Sequence, residues 1–346
     1  MTNYFKTSQQ EARITSTTNT THHATEKHWC VISKKHANAN VRRYIKHFPH
    51  TLEVLLPCWS YFREQEATNN CGLLFFGFDK QELGSWQTEF VRDGMGCEVE
   101  FLEQEDEYDT DTGNLILTNH ETGTRLFPEG VYYVLNFYLL KPRYGVINYL
   151  DDKRDAHALR RKFVSDDYIA SVKGKEKGLQ IGIIQRPEGA SRRIGNLPEI
   201  KTALQNDIPD ATITITNFTY STVKEQATWF ATKDVIIAAH GAALANSFFI
   251  TPKTVVLVVY PGEAYFPSLE PMIEQSGGVA LDWYQQDIKN PFLAEGSLTN
   301  MQYNKMMHGS QEIFPVVDEI VARIHFALIQ TPLWSDLKAV GRSYKN

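Results

Sequence analysis

Long apolar runs are missing from this sequence. The longest uninterrupted one, Val255 to Tyr260, is far shorter than the roughly 18 residues that a membrane-spanning helix requires. Positive charge is also scarce: 35 Lys and Arg stand against 41 Asp and Glu, a formal charge of -6. The chain as a whole therefore has no field that attracts a phosphate polymer, and no nucleic-acid partner is expected, although a local basic pocket is allowed. Cysteine is sparse, and Cys30, Cys58, Cys71 and Cys97 all lie in the first third without metal-ligand spacing; they are expected to be free, mostly buried thiols. Neither GxGxxG nor GxxxxGK[ST] occurs, which argues against a nicotinamide enzyme and an NTPase. The N-terminus lacks an apolar core behind a basic start, so it does not read as a secretory signal, and a cytoplasmic or otherwise soluble location is expected. The triplets Asn19-Thr20-Thr21 and Asn217-Phe218-Thr219 would be glycosylation acceptors only in a secretory compartment, and such triplets recur by chance.

What is present suits a two-domain α/β protein. The 346 residues, 42% of them hydrophobic, are enough for two cores at about 150 residues per domain. Residues 1–26, ten of them Ser or Thr, cannot offset their ordering entropy by burial and are expected to form a disordered tail. Short apolar runs then read as strands of a first Rossmann-like domain over residues 27–165: WCVIS, TLEVLLP, CGLLFFGF, CEVEFLE and NLILT. The eight acidic residues between Glu98 and Asp111 read as a solvated strand edge and loop. After a join between Lys153 and Gly178, a second Rossmann-like domain is expected over residues 175–312. Its strands are LQIGIIQR, ATITITNF, DVIIAA, TVVLVVY and ALDWY, separated by helical stretches. Asn196 with Glu199, and Thr222 with Glu225, mark helix starts. Strands alternating with helices imply a parallel sheet covered on both faces. Residues 313–346 are expected to hold a closing helix and a tail.

Ligands of such sheets sit at the C-terminal ends of the strands, and two strand ends carry unusual chemistry. Arg186, Ser191, Arg192 and Arg193 follow the strand LQIGII; clustered arginines stay charged, donate in pairs and suit a diphosphate. His240-Gly241-Ala242-Ala243-Leu244-Ala245-Asn246 follows VIIAA as a turn of small residues opening a helix. Small residues let a ligand approach the backbone, and a helix start offers N–H groups to an anion. His240 stands at the mouth.

These blocks resemble glycosyltransferase family 61. Arg186, then Ser191-Arg192-Arg193-Ile194-Gly195-Asn196 with Glu199, is similar to the family's Arg...Ser-Arg-Arg-Ile-x-Asn-x-x-Glu signature. His240 to Asn246 is similar to its His-Gly-Ala-Gly-Leu-x-Asn block. Ser221, Glu225, Gln226 and Phe230 fall on its intervening helix, and Tyr260-Pro261 ends its next strand. The resemblance implies the GT-B fold, two facing Rossmann-like domains with a cleft between them, and an inverting transfer from a UDP-sugar to a hydroxyl of a glycan or glycoprotein acceptor. Xylose is the favoured sugar and GlcNAc the second; a catalytically inactive glycan- or nucleotide-sugar-binding relative is the alternative. The implied donor-binding set is Arg186, Ser191, Arg192, Arg193, Asn196, Glu199, Ser221, His240, Gly241, Ala242, Ala243 and Asn246, with His240 also a catalytic candidate. Ala243 replaces the usual Gly, and Val258 stands where many members carry Glu or Gln, so a ribose contact made there must come from another group.

An inverting transfer needs a base for the acceptor hydroxyl and charge stabilisation for the departing UDP. The arginines and the helix start supply the second, with no metal or other cofactor. The segment nearest the family's N-terminal motif, Val131 to Asn136 up to Pro142-Arg143, contains neither its His nor its Asp, so the base is sought at strand ends of the first domain: Asp79 after CGLLFFGF, then His120. Asp109-Thr110-Asp111 mimics a metal-binding DxD, but no metal site is assigned to it.

Overall fold

A computed structural model of the chain describes residues 27–34, 42–43, 45–102, 131–134, 150, 153–175, 178–219, 221–261, 270–285 and 312–330. The chain divides into two units between Asp155 and Ala156. The strand expected at NLILT lies outside the described residues.

The first unit holds a four-stranded parallel sheet in the order β3-β2-β1-β4. Its strands are β1 (His28–Ser33), β2 (Cys71–Phe76), β3 (Glu98–Leu102) and β4 (Val131–Val134). The indole of Trp29 lies flat over Gly72, where a Cβ would come within 2.4 Å of the ring. TLEVLLP, expected as a strand, is instead part of a 17-residue helix, Phe48–Glu64, with Pro49 in its first turn. An apolar run of this length fits a buried helix as well as a buried strand, and this helix is buried on every side from Thr51 to Phe62.

The cysteine expectation is also overturned. Cys30 of β1 is bonded to Cys58 of the helix, Cys71 of β2 to Cys97 just before β3, and no cysteine is free. Pairs separated by 28 and 26 residues meet only because the parallel crossovers return each element to its neighbour, which spacing alone does not reveal. Disulfides persist in oxidising compartments and are rare in the cytosol, so this pairing speaks against a cytoplasmic location. No helix among the described residues is long and apolar enough to cross a membrane.

The second unit is built on five parallel strands in the order β6-β5-β7-β8-β9. These are β5 (Gln180–Ile184), β6 (Thr212–Thr216), β7 (Val235–Ala239), β8 (Val255–Tyr260) and β9 (Val279–Tyr284). Every residue of β5, β7 and β8 is buried, as in a sheet covered on both faces. Ile200 and Leu204 of helix Leu197–Asp207 join Ile320, Ile324 and Leu328 of helix Val317–Gln330 in one core with the strands. Helix Val223–Thr232 starts with the expected capping box, Thr222 accepting from the Glu225 N–H and Glu225 accepting from the Thr222 N–H. Asn196 precedes its helix but does not cap it; its Nδ2 donates to the Pro315 carbonyl at 2.7 Å. Ile313, expected in the closing helix, pairs with Ile194 in a short bridge instead, and that helix begins at Val317. An irregular stretch of proline and apolar residues, Phe314-Pro315-Val316, separates the two.

The disulfides carry a direct prediction. Denatured, unreduced protein should show no titratable thiol, and the double substitution Cys30→Ser/Cys58→Ser should lower unfolding stability by about 2–4 kcal/mol in urea titrations. Four titratable thiols would contradict the pairing.

Candidate functional site

In the second sheet the chain runs outward from β5 to β6 and then crosses back to place β7 on the other side of β5. Connections leaving β5 and β7 therefore diverge, which opens a crevice at the C-terminal ends of these two strands. Arg186 to Arg193 follows β5 and His240-Gly241 follows β7. The two blocks that the sequence singles out are brought together by topology.

Gln185 closes the arginine loop on itself. Its Oε1 accepts from the backbone N–H of Ile194 at 3.1 Å and its Nε2 donates to the Ile194 carbonyl at 2.8 Å, so the loop's two ends are pinned side by side. Within it, Arg192 has φ +60°, a left-handed backbone that costs a non-glycine residue about 1 kcal/mol or more and that recurs at functional sites. That turn buries the Arg192 side chain and lets Nη1 donate to the His240 carbonyl at 2.6 Å, with His240 Nδ1 3.3 Å away. Arg186 reaches the same place from the loop's start. A Cβ on Gly241 would lie 2.9 Å from Arg186 Nη1 and 3.8 Å from Arg192 Nη1, so the glycine makes room for two converging guanidinium groups. Among the described residues no carboxylate pairs with Arg186, and burial pulls its guanidinium below the usual arginine range.

His240 is 7% exposed. Burial first, then the charges of Arg192 and Arg186, lower its pKa to about 3, so the imidazole is neutral at physiological pH. With Nδ1 facing an obligate donor, the ring proton belongs on Nε2. The residue is thus a hydrogen-bond donor and too weak a base to deprotonate a sugar hydroxyl. Gly241 leads into Ala242–Phe249, a 3-10 helix and not an α-helix; Asn246 within it donates to Gln226 Oε1 at 2.9 Å and to the Ala243 carbonyl. Asn246 thereby ties this turn to helix Val223–Thr232.

Other predicted residues are placed elsewhere. Arg193 pairs with Glu312 at 2.7 Å, Glu199 is exposed beside Pro198 and Thr202 in a shallow groove on its helix, and the Ser221 carbonyl accepts from Gln226. Ser191 is half-buried in the loop next to Arg192. Asp79 is exposed in the first unit, where Oδ1 accepts from the Gln81 N–H at 2.8 Å and caps a short 3-10 turn, common work for an Asp after a strand. His120 and Asp109-Thr110-Asp111 lie outside the described residues.

Sequence reasoning missed a carboxyl network beside the arginines. The His240 ring stacks on Tyr260 and Tyr260 stacks on Tyr284, with centroids 5.1 and 4.9 Å apart. The Tyr260 hydroxyl donates to Glu270 Oε1 at 2.6 Å and the Tyr284 hydroxyl to Asp282 Oδ2 at 3.3 Å. Glu270 is 8% exposed, and Glu270 Oε2 and Asp282 Oδ1 are buried without a hydrogen-bond partner. Burial and the neighbouring Glu270 raise the Asp282 pKa to about 6, and burial with the Glu270 hydrogen bond raises that of Tyr260. The only sequence signal was position: Tyr260 ends β8 and Asp282 lies in β9, in register with Val258.

Two titrations should follow. His240, whose folded pKa lies below the unfolded value, should show unshifted imidazole resonances from about pH 8 to 5 by NMR; a midpoint near 6.5 would contradict its burial between arginines. Asp282 has a raised folded pKa, so its contribution to stability is complete below the unfolded value and lost as pH rises through about 6. Asp282→Asn should therefore raise the thermal midpoint near pH 8 relative to the native protein, and the gain should vanish near pH 4.

The family model described as Glycosyltransferase 61 matches residues 88–257, a span that contains both the arginine loop and the His240 turn and ends within β8. No curated protein matches the chain. On this match the region that holds both blocks belongs to glycosyltransferase family 61, which implies transfer of a sugar from a donor to a glycan acceptor.

Proposed function

We propose that the donor is a UDP-sugar whose diphosphate occupies the crevice between the ends of β5 and β7. The supporting observation is the convergence of Arg186 and Arg192 over Gly241, with a half-buried guanidinium, Arg186, that has no carboxylate counter-charge among the described residues. A diphosphate supplies that charge, accepts from both guanidiniums and takes the His240 Nε2–H. As the acceptor hydroxyl oxygen bonds to the anomeric carbon from the opposite face, the bond from that carbon to the diphosphate oxygen breaks. Its electron pair leaves with UDP, and the acceptor proton passes to a base. The arginines and His240 stabilise the growing charge on UDP, so the reaction should proceed in the presence of a chelator.

Under the same proposal the nucleotide ribose lies toward Glu270 and Asp282. A buried carboxylate oxygen without a partner is costly, and a vicinal diol offers the two donors that would satisfy it. Asp282 sits one strand over from Val258, the position where many relatives carry a carboxylate or amide. The finer reading is a GT-B enzyme that inverts the anomeric carbon and uses xylose in preference to GlcNAc. Asp79, with Oδ1 committed to its turn, is the proposed base to be tested from the first unit.

Calorimetry with UDP tests the site. Arg186→Ala and Arg192→Ala should each weaken binding by about 2–5 kcal/mol, the usual cost of truncating one member of a buried charge pair. Arg193→Ala, whose half-exposed guanidinium already pairs with Glu312, should cost under about 1 kcal/mol. Glu270→Gln should weaken UDP more than pyrophosphate. Equal losses for all three arginines would contradict the assignment. Turnover of a UDP-sugar panel decides xylose against GlcNAc, and Asp79→Asn should lower kcat while leaving UDP binding unchanged.

A further inference from the structure

Asn217-Phe218-Thr219 acquires significance from the fold. The triplet directly follows β6, the edge strand of its sheet. Phe218 has φ +54° and turns its ring inward, edge-on to Trp229 and stacked on Phe230 at 5.1 and 5.7 Å. Anchoring the middle residue leaves Asn217 and Thr219 exposed on either side of it. Asn217 Oδ1 accepts from the Thr219 N–H at 3.0 Å, an Asx turn that occupies the amide oxygen and leaves Nδ2 on the solvent side as the nucleophilic atom. The middle residue is not proline, so the Asn-x-Thr acceptor pattern is met in an exposed loop.

The second, independent observation is the compartment. All four cysteines are paired in two disulfides, each sulfur buried, and such pairing forms in an oxidising lumen. We infer that the protein folds in a secretory lumen and that Asn217 is N-glycosylated there. Asn217 Nδ2 bonds to the anomeric carbon of a lipid-diphosphate oligosaccharide. The carbon–oxygen bond to the diphosphate breaks, the electron pair leaves with the lipid diphosphate, and Nδ2 gives its proton to the oligosaccharyltransferase. This inference does not depend on the reading of the donor crevice.

Expression of the full chain through a eukaryotic secretory pathway, followed by peptide mapping before and after peptide-N-glycosidase, tests the inference. The expected result is an Asn217 peptide that carries glycan and converts to Asp on deglycosylation. Asn217→Gln and Thr219→Ala should each abolish it, and Thr219→Ser should retain it. Glycan is added before export, so the intracellular pool is equally informative should a variant not be secreted. An unmodified Asn217 in chains whose cysteines are oxidised would overturn the modification, and four reduced cysteines in the secretory pool would overturn the compartment.

Discussion

Arg186 and Arg192 both reach the space beside Gly241, and two like charges brought into one half-buried pocket repel each other. The fold must enforce this juxtaposition, and much of the second unit does so. Crossing back from β6 to β7 aligns the two strand ends, Gln185 pins the arginine loop, and the strained backbone at Arg192 turns its guanidinium inward. Gly241 leaves the space, where any larger residue would strike Arg186. An electropositive pocket maintained against its own repulsion is pre-organised for an anion, and pre-organised charge stabilises a leaving group without reorganising at the moment of transfer.

His240 completes the pocket because it is not charged. A third cation would add to the repulsion, and burial together with the two arginines keeps the imidazole neutral, so it contributes a donor without a charge. Behind it the stacked rings of Tyr260 and Tyr284 connect the pocket to Glu270 and Asp282. Cationic groups thus lie at the ends of β5 and β7 and acidic ones near the ends of β8 and β9, the order in which a nucleotide would present its diphosphate and its ribose diol. Under the proposed donor, the polar asymmetry of a nucleotide would be matched along the ends of one sheet's strands.

Much of this unit was legible in the residues. LQIGII, VIIAA and VVLVVY are apolar runs too short for helices and are bounded by turn or cap residues, and the Thr222-Glu225 box marks a helix start by local hydrogen bonding alone. The arginine loop and the small-residue turn could be read because their chemistry is local in sequence. What could not be read depends on three dimensions. TLEVLLP is mostly apolar and too short to reveal its period, and only its surroundings decide between strand and helix. Arg192 and Arg193 are adjacent and chemically identical, yet one turns to His240 and the other to Glu312, 119 residues away. Glu270 and Asp282 belong to different elements, and the cysteine pairs reflect crossover geometry. Residue type foretold the chemistry of the site, whereas the direction in which each side chain points was set by packing.

The central claim is that the arginine pocket recognises the diphosphate. It is tested most directly by calorimetric titration of the native protein with UDP and with uridine at two salt concentrations. UDP should bind far more tightly than uridine, and added salt should weaken UDP alone, since only the diphosphate would engage the guanidinium pair. Uridine binding as tightly as UDP, with the same insensitivity to salt, would contradict it.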